Sequence, residues 1–388
     1  MKRAIKVIIT GGGSGGHVYP ALAIGEIIKE KYGEVEFLFV GTPRGAESKI
    51  VPSLGIPFKT IEIESFRRKA TGISGFAISL GRSITKAHRI IKQFKPDLLI
   101  STGGYVSLPV LFAGRFIRKF GDKPRIFIHE QNVVAGLANR AGGKIADIVG
   151  VTFLESKRYF PGKKVVLVGY PLRKRIKPLN KIEARQNLGI PEDAFLVFAF
   201  GGSSGSRTIN RSIVEALPAI LEKDNIHVIH AVGHYRSPEY DPVKDTDLHM
   251  EKFSLKSEVL LRYHRILYAE NIDLYYSASD IVVCRAGSGT LFELKKMQKP
   301  AILIPKMDSV NNHQYKNAIS FEKDGSGIVL KEEKGEDGIM KVDGKKLSET
   351  ILLLFEHPEK ISEMQKNLAL NPPPDTSKII GEILEKIL

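Results

Sequence analysis

The chain of 388 residues has one cysteine, no tryptophan and no apolar run near the ~18 residues that a membrane-spanning helix requires. A single cysteine excludes an internal disulfide framework and any metal site built from several cysteines, which fits a reducing, cytoplasmic setting. Cys284 lies in an apolar strand pattern (Ile281, Val282, Val283) and reads as packing rather than as a nucleophile. The first apolar run starts at Ile5 and soon meets glycines, so no cleavable signal pattern is expected, and the protein is expected to be soluble or peripheral. Acidic residues are in deficit. With 43 Asp and Glu against 58 Lys and Arg, the formal charge of +15 implies an anionic partner: nucleic acid, a phosphorylated metabolite or a membrane surface.

Hydrophobic residues make up 43% of the chain, enough for two or three packed domains at this length. The organising stretch is Ile5 to Ala23, IKVIITGGGSGGHVYPALA. A β-branched run enters a loop of five glycines around Ser14, and a helical pattern (Ala21, Leu22, Ile24, Ile27, Ile28) follows. Glycines let the backbone approach a ligand, and the helix behind them aims unpaired N–H groups at the loop, which makes an anion site. His17 adds a titratable group at the rim. A tight turn with a structural histidine would give the same signature, but a second copy exists. Leu196–Phe200 runs into Gly201-Gly202-Ser203-Ser204-Gly205-Ser206, and a periodic segment (Ile209, Ile213, Leu217, Ile220, Leu221) follows. Two such units suggest two nucleotide-fold-like domains facing one another.

Further strands are expected at Glu36–Val40, Phe58–Ile63, Asp97–Thr102, Arg125–Glu130 and Ile148–Thr152 in the first half. In the second they are expected at Phe195–Phe200, His227–Val232, Asp280–Arg285, Ala301–Pro305 and Gly327–Lys331. Alternation with helical patterns implies α/β architecture with parallel sheets, whose ligands lie outside the carboxyl ends of the strands. Three such ends carry polar groups: Ser101-Thr102-Gly103-Gly104-Tyr105, His129-Glu130-Gln131-Asn132, and Asn311-Asn312-His313-Gln314-Tyr315. The last two read equally as polar turn and helix cap or as a site for a hydroxyl-rich ligand such as a sugar. Ile281–Glu293 (IVVCRAGSGTLFE) offers a third glycine-rich helix start, where Glu293 is either a capping carboxylate or an acceptor for the hydroxyls of a ribose. Asp337–Gly344 reads as a loop, and the domain linker falls in the basic, proline-bounded segment Pro171–Pro178.

Ser65–Lys95 holds eight positive charges (Arg67, Arg68, Lys69, Arg82, Lys86, Arg89, Lys92, Lys95) and no acidic residue. Its apolar residues, among them Ile73, Phe76, Leu80, Ile84 and Ile91, recur at helical spacing. That is the pattern of a helix on anionic lipid, or of a surface helix whose stripe packs inward while its charges are solvated. Arg115, Phe116, Arg118, Lys119 and Phe120 form a smaller patch of the same kind.

In order along the chain, GGGSGGHVYPALAI, STGGYVSLP, HEQNVVAGLANR, VGYPLR, GGSSGSRTIN and VVCRAGSGTLFE with HQYKNA resemble the MurG family of peptidoglycan glycosyltransferases, within glycosyltransferase family 28. The resemblance implies a GT-B fold, two Rossmann-like doubly wound parallel-sheet domains facing a central cleft. Residues 1–170 would form the acceptor- and membrane-binding domain and 171–388 the UDP-sugar domain, with the last helix free to pack back on the first. It implies inverting transfer of N-acetylglucosamine from UDP-N-acetylglucosamine to a polyisoprenyl-pyrophosphoryl muramyl-pentapeptide at the cytoplasmic face of the membrane, with no cofactor, no metal and no nucleic acid.

Carried over by matching motif, donor contacts fall on Ser14, Gly15, Gly16, Asn132, Arg173, Ser203, Ile272, Ser288, Gly289, Thr290, Leu291, Phe292, Glu293 and Gln314, with His313 and Arg285 beside them. By that match Glu293 holds the ribose and the backbone of Ile272 the uracil. Ser14 stands where the family usually has threonine, Tyr170 replaces an asparagine, His313 replaces a glutamine, and the residues after Arg285 differ from the usual run. A base is needed for the acceptor hydroxyl, and a histidine with a pKa near ambient pH suits that task. His17 is the first choice, and Glu130 the second, as base or as orienter of His17. Membrane contacts are assigned to Ile73, Phe76, Leu80, Arg67, Arg68, Lys69, Arg82 and Lys86. The rival readings are another GT-B enzyme, such as a diacylglycerol glucosyltransferase or a UDP-N-acetylglucosamine epimerase, and a basic nucleic-acid-binding protein. The last is opposed by the lack of a stacking platform of interleaved aromatics.

Overall fold

The computed structural model describes residues 3–63, 70–121, 123–172, 176–235, 238–253, 257–309 and 312–388, the side chains of 70–77 and 258 excepted. The chain forms two compact units, residues 1–173 with 374–388 and residues 174–373.

In the first unit strands and helices alternate: β1 (Ile5–Thr10), α1 (Gly15–Tyr32), β2 (Val35–Gly41), α2 (Glu47–Ser53), β3 (Phe58–Thr60) and α3 (Ala70–Phe94). Then come β4 (Leu98–Ser101), α4 (Ser107–Arg118), β5 (Arg125–Glu130), α5 (Leu137–Gly143), β6 (Ile148–Val151) and β7 (Val165–Leu167). The seven strands are parallel in the order β3-β2-β1-β4-β5-β6-β7. Parallel neighbours need crossovers, so helices cover both faces and the strands are apolar on both. Side chains alternate between two cores accordingly. Val7, Ile9, Leu98, Ile100 and Phe127 pack with α1 on one face, while Ile8, Leu99, Ile126 and Ile128 pack with Ala87, Ile91, Val110 and Leu111 of α3 and α4 on the other.

The C-terminal helix (Thr376–Ile387) belongs to this first unit although it closes the chain. Its residues Ile380, Ile383 and Leu384, on one helical face, join the core of α1, and Lys31 bridges Glu385 at 2.6 Å.

The second unit contains α6 (Lys181–Leu188), β8 (Phe195–Phe200), α7 (Arg207–Ile220), β9 (Ile226–Ala231), α8 (Pro242–Met250), α9 (Ser257–Leu260), β10 (Tyr263–Ile266) and α10 (Ile272–Ala278). It continues through β11 (Ile281–Cys284), α11 (Ser288–Met297), β12 (Ala301–Leu303), α12 (His313–Lys323), β13 (Gly327–Val329), β14 (Glu333–Lys334), β15 (Met340–Lys341), α13 (Gly344–Glu356) and α14 (Pro358–Leu370). Its main sheet is again parallel, in the order β10-β9-β8-β11-β12-β13. Two details differ from expectation. Tyr263–Ile266, too polar to read as a strand, pairs with β9 at the sheet edge, where polar residues are tolerated. The supposed loop Asp337–Gly344 contributes β15, which closes a short antiparallel hairpin with β14. Cys284 is fully buried and burial pushes its thiol pKa up, as a packing residue requires.

In each unit the strand order reverses once, between β1 and β4 in the first and between β8 and β11 in the second. Loops diverging there leave room for a ligand, and both glycine loops stand at those points.

Candidate functional site

In the first unit, three loops meet at the ends of β1, β4 and β5. Gly12 N donates to the Gly103 carbonyl at 3.3 Å, and a Cβ on Gly104, which has φ of +86°, would lie 2.5 Å from the Gly12 carbonyl oxygen. Only glycine allows that approach. Beneath the first loop, the buried Glu47 carboxylate accepts from Gly13 N at 2.9 Å, Thr42 N at 2.9 Å and the Thr42 hydroxyl at 2.7 Å. Two loop amides, those of Gly12 and Gly13, are therefore held by the protein itself, which leaves the first-turn amides of α1 as the candidate donors to an anion. Ser14 is the N-cap, with its side chain exposed and making no capping bond, and Gly15 and Gly16 follow it.

His17 is half-buried at this junction. Its Nδ1 lies 2.8 Å from the Thr102 carbonyl oxygen and 3.2 Å from Gln131 Oε1. Both partners are acceptors, so Nδ1 carries the proton and Nε2 is left with a bare lone pair. Among the described residues, Nε2 has no hydrogen-bond partner.

Glu130 is not in that arrangement. Its buried carboxylate accepts from Asn132 N at 2.9 Å, Gly136 N at 3.0 Å and Asn139 Nδ2 at 2.9 Å, so it shapes the loop after β5 and makes no bond to His17. The contact expected of Glu130 as orienter is made by its neighbour Gln131, because alternate residues of a strand point to opposite faces. Asn132 sits half-buried on the loop that Glu130 holds.

In the second unit, the loop after β8 packs against the end of β9. A Cβ on Gly205 (φ +70°) would come within 2.0 Å of the Val232 carbonyl, and one on Gly233 (φ +100°) within 2.1 Å of Gly205 N. Ser206 caps α7 by accepting from Ile209 N, and Ser203 stands exposed at the loop tip. After β11, the half-buried Gly287 is an N-cap without a side-chain oxygen. Ser288, Gly289 and Thr290 form the first turn of α11, whose amides face the end of the sheet. Leu291 and Phe292 are buried in the core behind them and support the turn rather than line its open end.

Glu293 is held by Tyr276 of α10, whose fully buried hydroxyl donates to Oε2 at 2.9 Å. Burial, then the Glu293 charge, pushes the Tyr276 pKa up, so the phenol stays a donor. Ile272 is the first residue of the same helix α10. Gln314 accepts from Lys306 N through Oε1 at 3.0 Å, which fixes the amide and leaves its NH2 group to donate elsewhere, and His313 precedes it half-buried at the start of α12.

Arg285 is tied by Nη1 to Glu332 at 2.6 Å and to the Ile304 carbonyl at 3.0 Å. Glu332 was not singled out in the sequence, where it directly follows the expected strand Gly327–Lys331. Its side chain is 1% exposed, and it also accepts from the Thr208 hydroxyl at 2.6 Å and Met307 N at 3.0 Å. One carboxylate thus gathers the start of α7 and the ends of β11 and β12. Gln131, Thr102 and Tyr276 were likewise missed as partners of the chosen residues, since only the fold makes them neighbours.

Arg67, Arg68, Lys69 and Arg173 lie outside the described residues, and so do the side chains of Ile73 and Phe76. On the described part of α3, Leu80 is half-buried while Arg82 and Lys86 are exposed, and Ile78 is 59% exposed. The smaller patch on α4 adjoins α3: His88 and Phe116 meet edge-on at 5.8 Å, Phe116 and Phe120 at 5.5 Å, and Phe120 is 82% exposed. Among the described residues no helix is long and apolar enough to cross a membrane, and no group of three or more His, Cys, Asp and Glu is placed to hold a metal ion.

Residues 7–151 match the glycosyltransferase family 28 N-terminal domain, and residues 196–380 match its C-terminal domain. The chain belongs to glycosyltransferase family 28. Family 28 relatives resemble it end to end. The UDP-N-acetylglucosamine–N-acetylmuramyl-(pentapeptide) pyrophosphoryl-undecaprenol N-acetylglucosamine transferase of Ruminiclostridium cellulolyticum is 36% identical over 386 residues, covering 99% of this chain and 100% of its own. The protein of the same name from Acetivibrio thermocellus is 36% identical over 388 residues, covering 99% and 98%. Among solved structures, Acinetobacter baumannii MurG superposes with a TM-score of 0.75 at 22% identity, over 99% of this chain and 100% of that one. A putative UDP-N-acetylglucosamine 2-epimerase of Listeria monocytogenes reaches 0.63 at 15% identity over 94% and 91%, a likeness of fold alone. As a family 28 member the protein is a GT-B glycosyltransferase, a hexosyltransferase.

Proposed function

We propose that this enzyme transfers N-acetylglucosamine from UDP-N-acetylglucosamine to a lipid-linked muramyl-pentapeptide, with inversion, in peptidoglycan synthesis. The observation that carries the chemistry is the bare Nε2 of His17, whose other nitrogen is engaged by two acceptors. In this reading the acceptor hydroxyl gives its proton to Nε2 as it attacks the anomeric carbon, and the bond to the UDP oxygen breaks. General-base help of this kind contributes about 10²–10⁴-fold. Full-length relatives that carry this activity in their names support the choice of substrates.

The second unit takes the donor. Negative charge grows on the departing UDP, and fixed donors lower the barrier because they need not reorganise. Those donors are the first-turn amides of α11 at Ser288, Gly289 and Thr290, the loop of Ser203, and Arg285 on its Glu332 anchor. By the family match alone, Ser14, Gly15, Gly16, Asn132 and Arg173 are further candidates for donor contacts. Glu293 accepts from the ribose, the backbone of Ile272 meets the uracil, and the free amide of Gln314, beside His313, reads the sugar.

The first unit takes the acceptor and the membrane. A polyisoprenyl tail stays in the bilayer, so the enzyme comes to it. Exposed Ile78, Phe116 and Phe120 beside Arg82, Lys86, Arg89, Arg115 and Lys119 supply apolar anchors and anionic-lipid attraction in one place. The enzyme then works as a peripheral protein on the cytoplasmic face, and its loss compromises cell shape and division. The test is direct. Incubated with several UDP-sugars and a lipid-pyrophosphoryl muramyl-pentapeptide, the protein transfers N-acetylglucosamine, and transfer of another hexose instead, or to diacylglycerol, refutes the proposal.

A further inference from the structure

We infer that Gln131 is the residue that positions His17, and that the buried His129 in turn sets the direction of the Gln131 amide. This rests on the reading of His17 as the base and deepens it. The chain of bonds starts at the end of β7. The Gly169 carbonyl oxygen lies 2.8 Å from His129 Nε2, so that nitrogen carries the proton and His129 Nδ1 presents a lone pair. Gln131 Nε2 donates to that lone pair at 3.1 Å and to the His129 carbonyl at 2.8 Å. With its NH2 group committed to His129, the amide turns Oε1 toward His17 Nδ1, at 3.2 Å. A flipped amide would set N–H against N–H at His17, and oxygen against the His129 Nδ1 lone pair and carbonyl at the other end. Both Gln131 and His129 are buried, so water cannot repair a flip.

The consequence for His17 is geometric. The Thr102 carbonyl at 2.8 Å alone would fix the tautomer, and a second acceptor at 3.2 Å fixes the ring plane as well, which aims Nε2. Gln131 does this without a charge. A carboxylate in its place would favour the imidazolium and make His17 a poor proton acceptor near neutral pH. His129 suits the task because burial lowers its pKa to about 4, so it stays neutral wherever His17 is a competent base. Tyr19, Glu47, Tyr105 and Glu130 are among the titratable side chains on the surrounding elements, and the two carboxylates accept from backbone, hydroxyl and amide donors.

The test uses the full chain, UDP-N-acetylglucosamine and the lipid-pyrophosphoryl muramyl-pentapeptide. In ¹⁵N-histidine-labelled wild type, with His17 signals assigned by their loss in H17Q, His17 is expected protonated on Nδ1 and bare on Nε2. Gln131→Glu is expected to raise the His17 pKa and move the acid limb of kcat up by roughly one pH unit, with the UDP-sugar KM within about twofold. Gln131→Met is expected to lower kcat about tenfold at unchanged KM. A His17 protonated on Nε2 in wild type, or a Gln131→Glu enzyme with His17 titration and acid limb unmoved, overturns the inference. The spectrum needs no variant to fold with a new charge. If His17→Ala retains full turnover, the base reading fails, while the His17 titration in Gln131→Glu, read from the spectrum and not from turnover, still decides the placement by Gln131.

Discussion

His17 and Thr102 hold each other by two reciprocal hydrogen bonds: the histidine Nδ1 lies 2.8 Å from the Thr102 carbonyl oxygen, and the Thr102 hydroxyl donates to the His17 carbonyl at 2.8 Å. The first turn of α1 is thereby clamped to the end of β4, across the point where the strand order reverses. In the proposed role as base His17 needs a fixed ring, and the Thr102 carbonyl fixes its tautomer while Gln131 fixes its plane.

Thr102→Val keeps the shape and removes the donor. It is expected to cost about 1 kcal/mol of stability, read from the urea midpoint, and to lower kcat severalfold, while Thr102→Ser restores both. A valine enzyme with wild-type rate would mean that the clamp plays no part in turnover.

Glu293 depends on Tyr276. Tyr276→Phe is expected to raise the KM for UDP-N-acetylglucosamine severalfold with little change in kcat, because one carboxylate oxygen loses the donor that orients it. Glu293→Ala removes both ribose bonds and weakens UDP binding further, which calorimetry with UDP measures. Unchanged UDP affinity in the alanine variant would withdraw the ribose assignment.

The proposed membrane attachment divides into two testable parts. Replacing Phe116 and Phe120 together by serine is expected to weaken binding to vesicles of any charge, whereas replacing Arg82 and Lys86 by glutamine weakens binding only to anionic vesicles and only at low salt. Co-sedimentation reads both. Equal binding of the wild type to neutral and anionic vesicles at low salt would remove the electrostatic part.

Acid should unfold the protein through its buried histidines. Burial lowers His129 to about 4 and His230 to about 3, and His230 is satisfied as a neutral ring by Tyr263 Oη at 2.9 Å and Asn210 Oδ1 at 3.1 Å. In the unfolded chain both titrate near 6.5. Below that pH the unfolded state binds more protons, so stability is highest above it and falls as pH drops toward 4, by on the order of 3 kcal/mol for His129 alone. Denaturant midpoints measured from pH 7 to pH 4 should decline with an uptake approaching two protons. A flat profile would mean that these rings are not buried neutral.

What the sequence by itself determined is the architecture and the position of its glycine loops. Local pattern suffices for that: an apolar strand, a run of glycines and a periodic helix specify a parallel βα unit wherever they occur, and both glycine loops stand at strand ends where the order reverses. It was less informative where burial contradicts residue type. Tyr263–Ile266 forms an edge strand despite its polarity, and Glu332, a charged residue that nothing in the sequence singled out, is a buried anchor. The partners of each functional group were decided by tertiary structure alone. Glu130 and Gln131 are adjacent in sequence, yet β5 turns the glutamine toward His17 and the glutamate toward the following loop, because strand pleating sends neighbours to opposite sides. Gly169, His129, Gln131 and His17 become one hydrogen-bonded line only once β1, β5 and β7 lie in a common sheet, since a hydrogen bond depends on distance and direction, which residue order does not encode.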